Sequence, residues 1–141
     1  MSRIFWDSML FIYLLEDHPE FSVRTRQLLG RAHRRGDSLF TSYLALGEVT
    51  AGAEKSPQPR KATAMRQILN EMGFSYLPFG DGAVATFSRL RAKENVKVAD
   101  AIHLACAASA GIDLFLTGDK QLTRLDIPGI QFIVDFNNPF F

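Results

Sequence analysis

The chain has a single cysteine, Cys106, so no disulfide can close within it, and a reducing compartment suits it. No apolar run approaches the roughly 20 residues of a membrane-spanning helix. The N-terminus lacks the basic start, long apolar stretch and small-residue cleavage site of a secretory leader. The expectation is a cytoplasmic protein that does not engage a membrane. An excess of one charge sign is also missing. Sixteen basic residues meet 15 acidic ones for a net charge of +1, so the global field does not announce a nucleic-acid binder. There is no internal repeat, low-complexity tract or interdomain linker, and the 141 residues are read as one domain, 1–141, large enough for a core.

What the chain does have is an alternation of strand and helix signals. Strands are expected at residues 3–6, 38–41, 74–78, 112–116 and 130–134. Helices are expected after Ser8, which can cap the first, and over 21–34, 42–53, 62–72, 83–92 and 99–109. Gly36-Asp37 and Gly80-Asp81-Gly82 read as turns, Lys120 to Leu125 as a helical turn, and Ser56-Pro57-Gln58-Pro59 as a break between helices. The alternation argues for an α/β fold, a short parallel sheet flanked by helices on both faces, with its site outside the carboxyl ends of the strands.

Four acids stand alone in apolar surroundings: Asp7, Glu48, Asp100 and Asp119. Glu48 is the only charge between Ser42 and Ala53, and Asp100 the only acid between Val98 and Gly111. Asp7 and Asp119 each follow a strand; Glu48 and Asp100 sit early on helices that begin near the same edge. An isolated carboxylate in apolar surroundings is costly unless something compensates it. Each has an ordinary alternative. Asp7 or Ser8 can cap a helix, Asp100 another, and Asp119 can belong to a Thr-Gly-Asp-Lys turn. Glu48 is no cap. A divalent cation would compensate all four at once, and carboxylates without histidine or cysteine suit magnesium or manganese. Such a site can bind and hydrolyse a phosphodiester. The remaining acids, Asp37, Asp81 and Asp113 among them, read as solvated turn or strand-start residues.

The chain resembles the PIN-domain ribonucleases, and within them the VapC-type toxins of bacterial toxin–antitoxin pairs. The marks are Phe5-Trp6-Asp7-Ser8 followed by Leu10 to Glu16, then Leu46-Gly47-Glu48-Val49, then Val98-Ala99-Asp100-Ala101-Ile102-His103-Leu104-Ala105, then Leu116-Thr117-Gly118-Asp119. The resemblance implies a three-layer α/β/α fold. It implies Mg2+ or Mn2+ held by Asp7, Glu48, Asp100 and Asp119, with Thr117 in support, and cleavage of RNA. It also implies frequent homodimers and a small antitoxin partner. The first motif departs from the family's Asp, Ser or Thr, Asn: the third position is Met9, which cannot make an asparagine's hydrogen bonds.

Other residues stay open. His103, three residues after Asp100, can reach a metal or phosphate or make a structural hydrogen bond. Cys106 reads as core. Arg24, Arg26, Arg31, Arg34 and Arg35 form either a solvated helix face or a surface that steers RNA. Lys120 is placed to meet a phosphate, and Phe140-Phe141 either packs on the core or meets a partner. Three functions follow. The first is a metal-dependent endoribonuclease acting on single-stranded or loop RNA, leaving a 5′-phosphate and a 3′-hydroxyl. The second is a catalytically weak or inactive module that works by binding its antitoxin across apolar surface between the early helices, where Leu10, Phe11, Leu14 and Leu15 either contribute in part or are all core. The third is a phospho-acceptor domain, disfavoured because Asp7 lacks an acidic neighbour.

Overall fold

Ile4, Phe5 and Trp6 are apolar in succession, a pattern that suits a strand covered on both faces. In the computed structural model, which describes residues 1–55 and 60–139, that strand is the centre of the sheet. Strand β1 (Arg3–Trp6) lies between β2 (Ser38–Ser42) and β4 (Ile112–Thr117), with β3 (Phe74–Leu77) outside β2 and β5 (Ile130–Asp135) outside β4. All four pairings are parallel, in the order β3-β2-β1-β4-β5.

Helices cover both faces. Trp6 and Leu116 point to one side, where they pack with Leu10 and Phe11 of α1 (Ser8–Leu15) and Leu28 and Ala32 of α2 (Ser22–Arg35). Leu46 and Val49 of α3 (Tyr43–Glu54) and Leu69 of α4 (Arg60–Glu71) complete that cluster. Phe5 and Phe115 point to the other side, stacked with centroids 4.8 Å apart, against Leu90 of α5 (Val84–Lys93) and Ala101, Leu104 and Ala107 of α6 (Val98–Ala110). This is the expected three-layer α/β/α arrangement. Because every strand runs the same way, the residues that follow β1 and β4 and those that open α3 and α6 share one edge.

Boundaries differ from expectation by a residue or two. Asp7, not Ser8, caps α1, because its carboxylate reaches the Met9 N–H. The turn near Gly80 closes as a 3-10 turn, Asp81–Ala83, that leads into α5. Ser56-Pro57-Gln58-Pro59 and Phe140-Phe141 lie outside the described residues. Asp37 is not a solvated turn residue. Its side chain is 2% exposed, one oxygen accepts the Ser2 N–H, and Arg35 lies 4.0 Å from the other. The turn after α2 folds back under the start of β1, and burial follows from that close approach. At the far end of α6, Gly129 has φ +101°, and a Cβ there would collide with the carbonyl oxygen of Ala108. Among the described residues no helix is long and apolar enough to cross a membrane.

Candidate active site

Asp7 is held in place by its own backbone and by β4. Its N–H donates to the Leu116 carbonyl, which extends the β1–β4 pairing by one residue past the strand. Its carboxylate then lies over the end of β4. One oxygen accepts from Met9 N–H at 3.1 Å, and the other accepts from the Thr117 hydroxyl at 2.6 Å and from Gly118 N–H at 3.2 Å. Asp7 is only 6% exposed. Burial pushes its carboxyl above the usual range; the Thr117 and Gly118 hydrogen bonds, positive charge on His103 and the Met9 N–H pull against that rise.

Thr117 joins two of the acids. Its hydroxyl is fully buried, donates to Asp7 and accepts the Asp119 N–H at 3.0 Å. Asp119 in turn caps the short 3-10 turn Lys120–Arg124 by accepting Gln121 N–H at 2.9 Å. Asp7 and Asp119 thus do serve as caps. Asp119 uses one carboxylate oxygen for that and keeps the other; Asp7, whose second oxygen already takes two hydrogen bonds, keeps one lone-pair site on its capping oxygen, since a carboxylate accepts at about four such sites.

Asp100 sits in the first turn of α6 rather than at its cap, where Lys97 makes no side-chain hydrogen bond. Burial raises its carboxyl above the usual range; His103 opposes the rise, Asp119 and Glu48 add to it, and Lys97 opposes it. Asp100 therefore lies within the field of Glu48 and Asp119, whereas Asp7 is perturbed chiefly by its own burial.

His103 settles the position of Glu48. Its ring is 2% exposed, Nε2 lies 2.8 Å from a Glu48 carboxylate oxygen, and Nδ1 lies 2.7 Å from the Ser42 hydroxyl. That hydroxyl also caps α3 by accepting Ala45 N–H at 2.9 Å. An ionised Glu48 only accepts, so Nε2 donates to it, while Nδ1 accepts from the Ser42 hydroxyl in a neutral ring and donates to it in a charged one. Both ring nitrogens are then engaged. His103 makes the structural hydrogen bond and has no lone pair for a metal. Ser42 is the residue sequence reasoning missed: its place at a helix start was legible, but nothing signalled a partner 61 positions away.

The structure thus brings Asp7, Thr117 and Asp119 together by hydrogen bonds, and Asp100, Glu48 and Asp119 by their fields. Among the described residues no three Asp, Glu, His or Cys side chains close tightly enough to cage an ion. An open, all-carboxylate set fits a hydrated hard cation, which takes one or two carboxylates directly and keeps several waters, and does not fit a four-coordinate zinc cage. Cys106 is buried mid-helix, and burial pushes its thiol up to about 11, so it stays a protonated core residue. The arginines divide. Arg24 donates to the Phe136 and Asn138 carbonyls, and Arg26 pairs with Asp17. Arg31, Arg34 and Arg35 lie toward the end of α2 that feeds into β2, at the edge opposite the acids. Lys120 is exposed beside Asp119.

A family model for the PIN domain matches residues 4–128. The chain belongs to the PIN domain family. PIN domains are generally nucleases and typically use divalent metal ions. This PIN domain superposes on solved toxin–antitoxin structures. It matches VapBC from Salmonella typhimurium bound to DNA with TM-score 0.74 and 24% identity over 96% of this chain and 99% of that one. It matches VapBC2 from Rickettsia felis bound to a promoter fragment with TM-score 0.72 and 15% identity over 94% and 97%. FitAcB from Neisseria gonorrhoeae matches with TM-score 0.64 and 18% identity over 82% and 87%. At these identities the likeness is one of fold. No curated protein matches the sequence.

Proposed function

We propose that this PIN domain is a Mg2+- or Mn2+-dependent endoribonuclease that cuts single-stranded or loop RNA and serves as the toxin of a toxin–antitoxin pair. The observation that carries this reading is the gathering of Asp7, Thr117, Asp119, Asp100 and Glu48 at one edge of a PIN sheet. A bound divalent ion supplies Lewis acidity, polarising a phosphoryl oxygen and easing deprotonation of an attacking water. The protein's part is positional. Thr117 and Gly118 orient the Asp7 carboxylate, and Thr117 sets the Asp119 backbone. His103, fixed by Ser42, aims Glu48. Asp100 stands half-buried with no hydrogen bond among the described residues that would occupy its oxygens, and is the acid best placed to take a metal ligand's role.

Cleavage of a mixed single-stranded RNA by antitoxin-free protein tests this. We expect cuts in magnesium and manganese, none with chelator, and none from Asp100→Asn under any condition, with its fold intact by circular dichroism. Cleavage retained in Asp100→Asn would remove Asp100 from the site.

Two features support protein partners. A cavity of about 110 Å3 between α1, α3 and α4 is lined by Ile12, Leu15, Val49 and Met65 and reaches Glu48. An antitoxin segment lying there would place a basic side chain among the acids. That groove is also the observation that favours the second reading, in which chemistry has been lost at Met9 and antitoxin binding remains. Tyr43, Phe79 and Val98 are exposed where β2 and β3 end and α6 begins, which supports a homodimer across that edge. Light scattering on purified protein reads the dimer directly.

A further inference from the structure

We propose that Tyr13 is a substrate-positioning residue whose hydroxyl donates a hydrogen bond to the RNA backbone beside the Asp7 end of the site. The inference rests on the ribonuclease reading and adds a residue to it. Tyr13 lies one helical turn after Met9, on the same face of α1. Side chains on a helix lean toward its N-terminus, so Tyr13 reaches back toward Asp7. A Cβ placed on Gly118 would lie 3.8 Å from the Tyr13 hydroxyl oxygen, 3.8 Å from its Cε2 and 3.6 Å from Met9 Cβ. Gly118 is the residue whose N–H binds the Asp7 carboxylate, so the phenol lies at the rim of that carboxylate's cradle.

The ring is clamped and the hydroxyl is not. Phe136 stacks on Tyr13 with centroids 5.3 Å apart, Phe21 meets it at 5.0 Å and the His18 ring edge at 5.0 Å. These contacts hold a rigid aromatic in one orientation with little entropy left to lose. The hydroxyl has no hydrogen-bond partner among the described residues, and the ring is only partly covered. Met9, 40% exposed beside it, gives this side of the site no polar atom in its side chain that donates. Acids surround the phenol: Asp7, Asp135 and Glu20 all act on it, and burial and these charges favour its protonated, donating form. A protonated phenol among carboxylates is suited to an anionic oxygen that a cation has brought in.

The test is Tyr13→Phe, which keeps the ring packing. With wild-type protein that cuts RNA, we expect KM for a short single-stranded RNA to rise about tenfold, kcat to stay within about twofold and the melting temperature to hold. Met9→Asn added to Tyr13→Phe places an amide at the same rim and should recover most of the lost affinity. Equal KM in Tyr13→Phe and wild type overturns the proposal. So does a fall in kcat and melting temperature with KM unchanged, which would mark a packing role. A second readout does not need cleavage. Fluorescence anisotropy of labelled RNA on Asp100→Asn against Asp100→Asn with Tyr13→Phe should show about tenfold weaker binding, and equal affinities would overturn the proposal even if the wild type cuts nothing. If wild-type protein cuts no RNA while the affinity difference holds, the ribonuclease reading fails and the Tyr13 contact stands.

Discussion

Thr117 shows how much one hydroxyl can organise. Its donated and accepted hydrogen bonds join the end of β1 to the segment after β4; the first is buried and the second partly so. Thr117→Val keeps the shape and removes both, leaving an Asp7 oxygen and the Asp119 N–H short of a partner. We expect a loss of about 1–3 kcal/mol in urea unfolding and a large fall in cleavage. A variant as stable and active as the wild type would mean the two bonds are replaceable. Asp100→Asn should behave oppositely in stability. Asp100 is half-buried, so removing its charge in the metal-free fold relieves first the cost of burying it and then repulsion from Asp119 and Glu48, against the loss of attraction to His103 and Lys97. Solvent screening keeps the gain small, roughly 0.5 kcal/mol, read as a melting temperature higher by about 1–3 °C in chelator. A lower melting temperature would show that Asp100 is a structural residue. At this scale the sequence was partly legible. Isolation in apolar stretches pointed to the four acids, but Tyr13 carried no signal of its own and Ser42 only marked a helix start. Their roles depend on neighbours distant in the chain.

Elements were easier to read than residues, for reasons visible in particular cases. The apolar run Ile4 to Trp6 suited a central strand, and Gly36 and Gly111 do end α2 and α6 in the left-handed region, φ 71° and 70°. Asp37 misled because turn chemistry says nothing of what folds over a turn. Here the chain before β1 covers it. The docking of α6 was not legible either. It meets the lead into β5 at Gly129, where there is no room for a side chain and φ is +101°. Gly129→Ala must move α6 or the turn, and we expect a loss of at least about 2 kcal/mol by denaturant unfolding. Because α6 carries both Asp100 and His103, cleavage should fall as well, although Gly129 contacts neither. Full activity at full stability would show that the helix tolerates the shift.

For the whole molecule, the acids link function to stability through pH. Asp7 and Asp100 both hold protons more tightly in the fold than the ordinary aspartate value of 3.8. Carboxyls raised in this way stabilise the fold below that value and give the stabilisation up as pH rises through their raised values. The metal-free protein should therefore lose some stability at neutral pH, and a divalent ion should restore it. At 100 times its dissociation constant an ion that binds only the fold contributes about 2.7 kcal/mol. Melting in magnesium and in chelator at about pH 5 and pH 7.5 checks this. The gain from magnesium should be larger at the higher pH, where the ligands are ionised. Identical curves with and without magnesium at both pH values would argue against a metal site. Parallel topology was readable from the strand–helix alternation, and strand order was not, because nothing local in β1 says that β4, far along the chain, will be its neighbour.

That neighbour relation has a consequence for synthesis. Asp7 is made well before the hydroxyl and amide that hold its carboxylate, since Thr117 and Gly118 lie 110 and 111 positions later. A ribosome must release every residue from β1 through β4 before β4 can slide in beside β1 and Asp7 can meet Thr117. Each nascent copy therefore lacks the cradle of the Asp7 carboxylate until β4 and Gly118 have emerged.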